Sequence, residues 1–168
     1  DLFREAWQEV KPTEFPDLFD NIEAERAWGI ESLEILANYF TIEDPTSFEP
    51  LSREMDLTQR VGDMKIRGIL DRMEETPDGL VITDYKTGKW SPGAGKSSSA
   101  DERLLEAVRE GEWLQAAAYA LAGRERTDRG RYLFLNPLFD DDTGRAFSLS
   151  ADQPSLVGHF ALAVAALI

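Results

Sequence analysis

Thr76-Pro77-Asp78-Gly79 divides two strand-like stretches, Met64–Met73 and Leu80–Lys86. Proline followed by Asp-Gly in so short a connection commits the flanking stretches to a tight antiparallel hairpin. With the turn centred between Pro77 and Asp78, Gly79 pairs with Thr76, and stepping outward brings Asp84 opposite Asp71. Directly opposed residues share a sheet face, with Cβ atoms about 4.5–5.5 Å apart. Lys86 lies two residues beyond Asp84 and projects from that same face. A bulge or an asymmetric turn would shift this register and separate the three.

Opposed carboxylates repel unless something cationic sits between them. A divalent metal meets that need, and a lysine beside it can orient or deprotonate a water. Asp71, Asp84 and Lys86 therefore suit metal-assisted hydrolysis of a phosphodiester, whose transition state carries extra negative charge. The bland alternative is a cross-strand ion pair in which Lys86 or Arg72 neutralises surface aspartates.

The rest of the chain frames this hairpin. Pro16–Phe40 has helical periodicity and ends before Asp44-Pro45 and Glu49-Pro50. Leu51–Val61 reads as a first strand, turned at Gly62-Asp63, so that three strands form an antiparallel meander. Thr87–Ala100, rich in Gly, Ser, Pro and Lys, reads as a mobile loop. Asp101–Ala122 is expected as helix with a break at Gly111, followed by strands at Arg131–Asn136 and Arg145–Leu149 and a last helix over Ala151–Ile168. One domain spans 1–168, and its start at Asp1 and end in an apolar run suggest a piece of a longer chain.

Composition narrows the chemistry. Zero cysteines exclude a disulfide scaffold, a thiol nucleophile and a cysteine-ligated cluster. A single histidine, His159, leaves little scope for a Ser-His-Asp triad or a multi-histidine metal site, and it is assigned to packing or surface. Any metal is held by oxygen ligands, as magnesium, manganese or calcium are. No apolar run reaches the roughly 20 residues of a membrane helix, and the expected location is the cytoplasm. The net charge of −14 opposes broad nucleic-acid binding, so a DNA strand would need local basic loops. Two such stretches are Lys86, Lys89 and Lys96, and Arg124, Arg126, Arg129 and Arg131. Trp7, Trp28 and Trp113 read as core or interface residues, and Glu54 either reaches the cleft or sits exposed.

Gly68-Ile-Leu-Asp71-Arg72, the hairpin, and Asp84-Tyr-Lys86-Thr-Gly88 together resemble the RecB-like exonuclease branch of the PD-(D/E)xK nuclease superfamily. That family carries Gln-x-x-x-Tyr on the helix after its lysine strand, and here Gln115-Ala-Ala-Ala-Tyr119 stands in that place. Glutamine and tyrosine four residues apart lie on one helical face. The resemblance covers about Pro16–Leu149 and implies an α/β fold with a restriction-endonuclease-like core, a mixed sheet with an antiparallel meander flanked by α-helices.

Residue by residue, the resemblance implies that Asp71, Asp84 and the Tyr85 backbone carbonyl ligate Mg2+ or Mn2+. Lys86 would position or activate the water, with Gln115 and Tyr119 bracing Lys86 or touching the DNA backbone. Arg72, Lys89 and Trp90 are candidates for binding substrate. Many members carry a histidine ligand on the first helix; Leu33 occupies that spacing here, leaving Glu31, Glu34 or Glu23 as substitutes. No cysteines are present for the iron–sulfur cluster of some relatives. DNA is the implied partner, with a helicase partner or fused domain, and the activity implied is exonucleolytic, in repair or recombination. A catalytically inactive module that binds DNA or supports a helicase is the alternative.

Overall fold

The computed structural model describes residues 2–61, 64–88, 99–122, 128–136 and 146–152, with positions 156, 158 and 160 of a final helical stretch. In chain order the elements are α1 (Leu2–Glu14), α2 (Ile22–Ile42), β1 (Ser52–Val61), β2 (Met64–Thr76) and β3 (Gly79–Lys86). They are followed by α3 (Ala100–Arg109), α4 (Leu114–Ala122), β4 (Arg129–Phe134) and β5 (Ala146–Ser150). The strands form one sheet in the order β1-β2-β3-β4-β5. All neighbours are antiparallel except β3 and β4, which run parallel. A parallel pair needs a crossover, and α3 with α4 supplies it. This is the expected α/β architecture, with a meander at one side of a mixed sheet.

Small residues let α4 lie close on β4. Ala116, Ala117 and Ala120 are fully buried, and a Cβ added at Gly130 would stand 2.0 Å from the Ala116 carbonyl oxygen. Leu104 and Val108 of α3 join Tyr132, Phe134, Phe147 and Leu149 of the sheet in the same core. The expected break within Asp101–Ala122 falls at Gly111, whose φ of 87° suits glycine, and at Trp113, whose φ is 52°.

The N-terminal region differs from the single helix expected over Pro16–Phe40. Helix α2 starts at Ile22, where the Asn21 side chain accepts the Ala24 N–H at 2.8 Å. A separate helix, α1, precedes it despite Pro12 in its last turns. It is held by aromatic contact: Trp7 and Trp28 have ring centroids 4.4 Å apart, with Phe3 and Phe19 beside them. Among the described residues no helix is long and apolar enough to cross a membrane.

Candidate active site

The hairpin has the register its turn dictates. Thr76 pairs with Gly79 around Pro77-Asp78, and the ladder runs outward to Arg72 opposite Thr83. There it stops. One step further, Asp71 Oδ2 accepts the Tyr85 backbone N–H at 2.7 Å, so a carboxylate replaces a strand carbonyl. The β1–β2 ladder skips the same level, pairing Arg53 with Arg72 and Met55 with Leu70 but not Glu54 with Asp71. Glu54 has φ 47°, a conformation that breaks strand regularity. Leu70 and Met73, three positions apart, both pack with Ile82 and Tyr119, so side-chain alternation in β2 resets at Asp71.

Asp84 follows Thr83 into the interior and is only 4% exposed. Its Oδ2 lies 2.5 Å from Lys86 Nζ. Burial raises the Asp84 pKa above the ordinary aspartate value; Lys86 opposes the rise and the Asp71 charge adds to it. Asp84 thus lies between the Lys86 ammonium and the charge of a second carboxylate, Asp71. Lys86 Nζ also donates to Gln115 Oε1 at 3.0 Å and sits 5.0 Å above the Tyr132 ring. Gln115 Nε2 donates to the Tyr119 hydroxyl at 2.6 Å, and that hydroxyl donates to the Ile69 carbonyl at 3.2 Å. Burial, with the Asp84 charge next, pushes the Tyr119 hydroxyl up to about 12, which keeps it a neutral donor.

The five residues Asp71, Asp84, Lys86, Gln115 and Tyr119 are therefore brought together on the α4 side of the sheet. An i, i+4 pair on α4 reaches the end of β3 because β3 and β4 are in parallel register, Asp84 beside Tyr132. Tyr132 was not anticipated from sequence. It is buried beneath Lys86 and accepts the Ala116 N–H at 2.9 Å, anchoring the first turn of α4. Its alternation with Leu133 inside the β4 pattern was the available signal.

The donor set fits a hard divalent cation. Mg2+ commonly takes one or two carboxylates and keeps several waters, and Asp71 with Asp84 offers two carboxylates carrying more charge than Lys86 neutralises. Among the described residues no group of three Asp, Glu or His residues forms, so Glu31, exposed on α2, does not join the pair as a ligand.

Other expectations are corrected. Arg72 is not a surface residue available to substrate; it is 3% exposed and pairs with Glu43 and Glu74, on the sheet face opposite Asp84. Its Nη1 also donates to the Tyr85 hydroxyl at 2.7 Å, and its guanidinium stacks on Phe48. Arg131 likewise belongs to no basic track: it pairs with Glu43 and Glu74 and donates to Thr83 Oγ1 at 3.0 Å. Glu54 is exposed. Lys89, Trp90, Lys96, Arg124, Arg126 and the His159 side chain lie outside the described residues. Trp113 packs against the core, as expected.

No curated protein matches the chain individually. The family model of the PD-(D/E)XK nuclease superfamily matches residues 1–158, nearly the whole chain and every element of the site. With that match over a five-stranded mixed sheet flanked by helices, the chain belongs to the PD-(D/E)XK nuclease superfamily.

Proposed function

We propose that the chain is a RecB-like, Mg2+- or Mn2+-dependent DNA exonuclease acting on single strands or DNA ends, in repair or recombination and in the cytoplasm. The observation that supports it most is the linked set Asp84–Lys86–Gln115–Tyr119 beside Asp71. Asp71, Asp84 and the Tyr85 carbonyl would hold the metal. When bound, such a cation supplies positive charge to the phosphodiester and acidifies water. Lys86 Nζ donates to Gln115 Oε1 and is ion-paired with Asp84, and a remaining N–H would serve the attacking water or a phosphoryl oxygen. Gln115, held by Tyr119, keeps the ammonium from swinging away. Lys86 thus adds charge where the transition state gains it.

A non-catalytic module that binds DNA or supports a helicase is the second reading. Leu33 in place of a first-helix histidine, with no third acidic ligand among the described residues, favours it. End-labelled single- and double-stranded DNA, linear or circular, would be incubated with Mg2+, Mn2+ or EDTA. Metal-dependent loss of linear but not circular substrate, abolished in folded Asp84→Ala and Lys86→Ala, supports the exonuclease. No cleavage by folded wild type with either metal supports the module.

A further inference from the structure

The meander extends beyond the sheet that β3 completes. β3 pairs with β2 only from Arg72 to Thr76, whereas β1 continues alongside β2 as far as Val61 opposite Met64. A two-stranded ribbon, Met55–Val61 with Met64–Leu70, therefore projects past the level of Asp71. Its register pairs Arg60 with Lys65 and Thr58 with Arg67. Opposed residues share a face, as do residues two apart on one strand, so Arg60, Lys65 and Arg67 stand on one face of the ribbon. All three are exposed, and none has a hydrogen-bond or ion-pair partner among the described residues. Leu57 packs against the cluster of Leu70, Ile82 and Tyr119, which turns the cationic face outward on the side of the sheet opposite Asp84.

Like charges directly opposed across a strand pair destabilise it. Three clustered cations stand out in a chain of net charge −14, and among the described residues of the ribbon Asp56 is the acidic residue that shares their face. They lower their mutual repulsion by taking an anion. Arg67 and Lys65 lie four and six positions from Asp71 along β2, roughly 13–20 Å at about 3.3 Å per residue. Phosphates on one strand recur at about 3.4 Å along a duplex axis, so a strand running from the site round to the opposite face needs at least several nucleotides.

The geometry points to the β1–β2 ribbon as a DNA-backbone clamp, in which Arg60, Lys65 and Arg67, on the sheet face opposite Asp84, grip the phosphates of a strand that passes round the ribbon after leaving the site. This rests on the nuclease reading for its substrate, though not for its test. Phosphate contacts position a strand without reading sequence, so the clamp serves affinity and register, not base choice.

Binding of labelled single-stranded DNA would be measured in EDTA, across about 50–200 mM salt, for wild type, Arg60→Gln/Lys65→Gln/Arg67→Gln and the charge-preserving Arg60→Lys/Lys65→Arg/Arg67→Lys. Hydrolysis of bis(p-nitrophenyl) phosphate with Mn2+, a substrate too small to reach the ribbon, would be followed in parallel. The glutamine variant should bind about tenfold or more weakly, with the slope of log K against log salt flatter by about 2, at roughly 0.7 per phosphate contact. The charge-preserving variant should bind as wild type does. Wild-type affinity and slope in the glutamine variant would overturn the clamp, as would equal loss in the charge-preserving variant. Ribbon-dependent binding of polyglutamate in preference to DNA would also overturn it, assigning the surface to an acidic protein. If wild type hydrolyses nothing but binds DNA through the ribbon, the nuclease reading fails while the clamp stands.

Discussion

Asp71 Oδ2 accepts the Tyr85 backbone N–H at 2.7 Å, so the carboxylate proposed to hold metal also ends the hairpin ladder. Structure and chemistry converge on one side chain, and substitutions can separate them. Asp71→Asn keeps an oxygen for the Tyr85 N–H and loses the charge. Asp71→Ala leaves the N–H without its partner, which costs about 1–3 kcal/mol. Urea unfolding should therefore show the asparagine variant near wild type and the alanine variant less stable. Both should cleave DNA at least about 100-fold more slowly. An asparagine variant as active as wild type would take Asp71 out of the metal site.

Tyr119 reaches Lys86 through Gln115, and on the proposed reading it serves as a positioning residue. Tyr119→Phe removes the acceptor for Gln115 Nε2 and the donor to the Ile69 carbonyl. The loosened amide should lower kcat by about tenfold, the equivalent of one modest hydrogen bond at about 1.4 kcal/mol per decade. KM should hold, since neither group faces bound DNA in this reading. A rise in KM with kcat unchanged would move Tyr119 from the lysine to the substrate.

Arg72 and Glu43 lock α2 to the back of the hairpin, and their pairing carries a pH signature. Burial pushes the Glu43 pKa up, but the hydrogen bond and charge of Arg72, with Arg131 and Tyr39, outweigh it, and the net shift is downward from 4.5. A carboxylate with its folded pKa lowered leaves the unfolded chain holding more protons, so stability rises with pH. The contribution is complete above about pH 4.5 and is lost as pH falls through the folded value. Glu43→Gln should flatten the acid limb of thermal stability measured from pH 3 to 7. Arg72→Ala, which leaves Glu74 and Glu43 short of a cation, should cost about 3–5 kcal/mol. Folded at low temperature, it should bind DNA as wild type does; a loss there would return Arg72 to the substrate.

Local chemistry made some of this legible in sequence and long-range packing hid the rest. Pro77-Asp78 between two apolar stretches set the hairpin register, which carried Asp84 and Lys86 to one face, and the spacing of Gln115 and Tyr119 put them on one turn of helix. Arg72 was misread because its burial depends on Glu43, which sits 29 residues away at the end of α2, and on Glu74, its i+2 neighbour. An arginine after an aspartate proposed to hold metal looks available until distant residues such as Glu43 and Phe48 are seen to cover it. Helix α1 was missed for a similar reason: Pro12 argues against it, and Trp28, which holds it, belongs to another element. The alternation reset at Asp71 had no local sign, since the residue at positive φ is Glu54 on the neighbouring strand.

Gly130 is the tightest contact between the helical layer and the sheet. A methyl group there would press on the Ala116 carbonyl at 2.0 Å and the Ala120 nitrogen at 3.0 Å, both backbone atoms that cannot swing aside. Gly130→Ala must therefore lift α4 from β4, at a cost of about 1–3 kcal/mol or more. The same movement would strain the hydrogen bond from Ala116 N–H to the Tyr132 hydroxyl and draw Gln115 away from Lys86. The variant should melt several degrees lower and, where still folded, cleave more slowly than Tyr119→Phe, because the whole brace shifts instead of one bond. Unchanged melting would mean that α4 and β4 stand further apart in solution than this packing has them, and the Gln115–Lys86 contact would then lose its support.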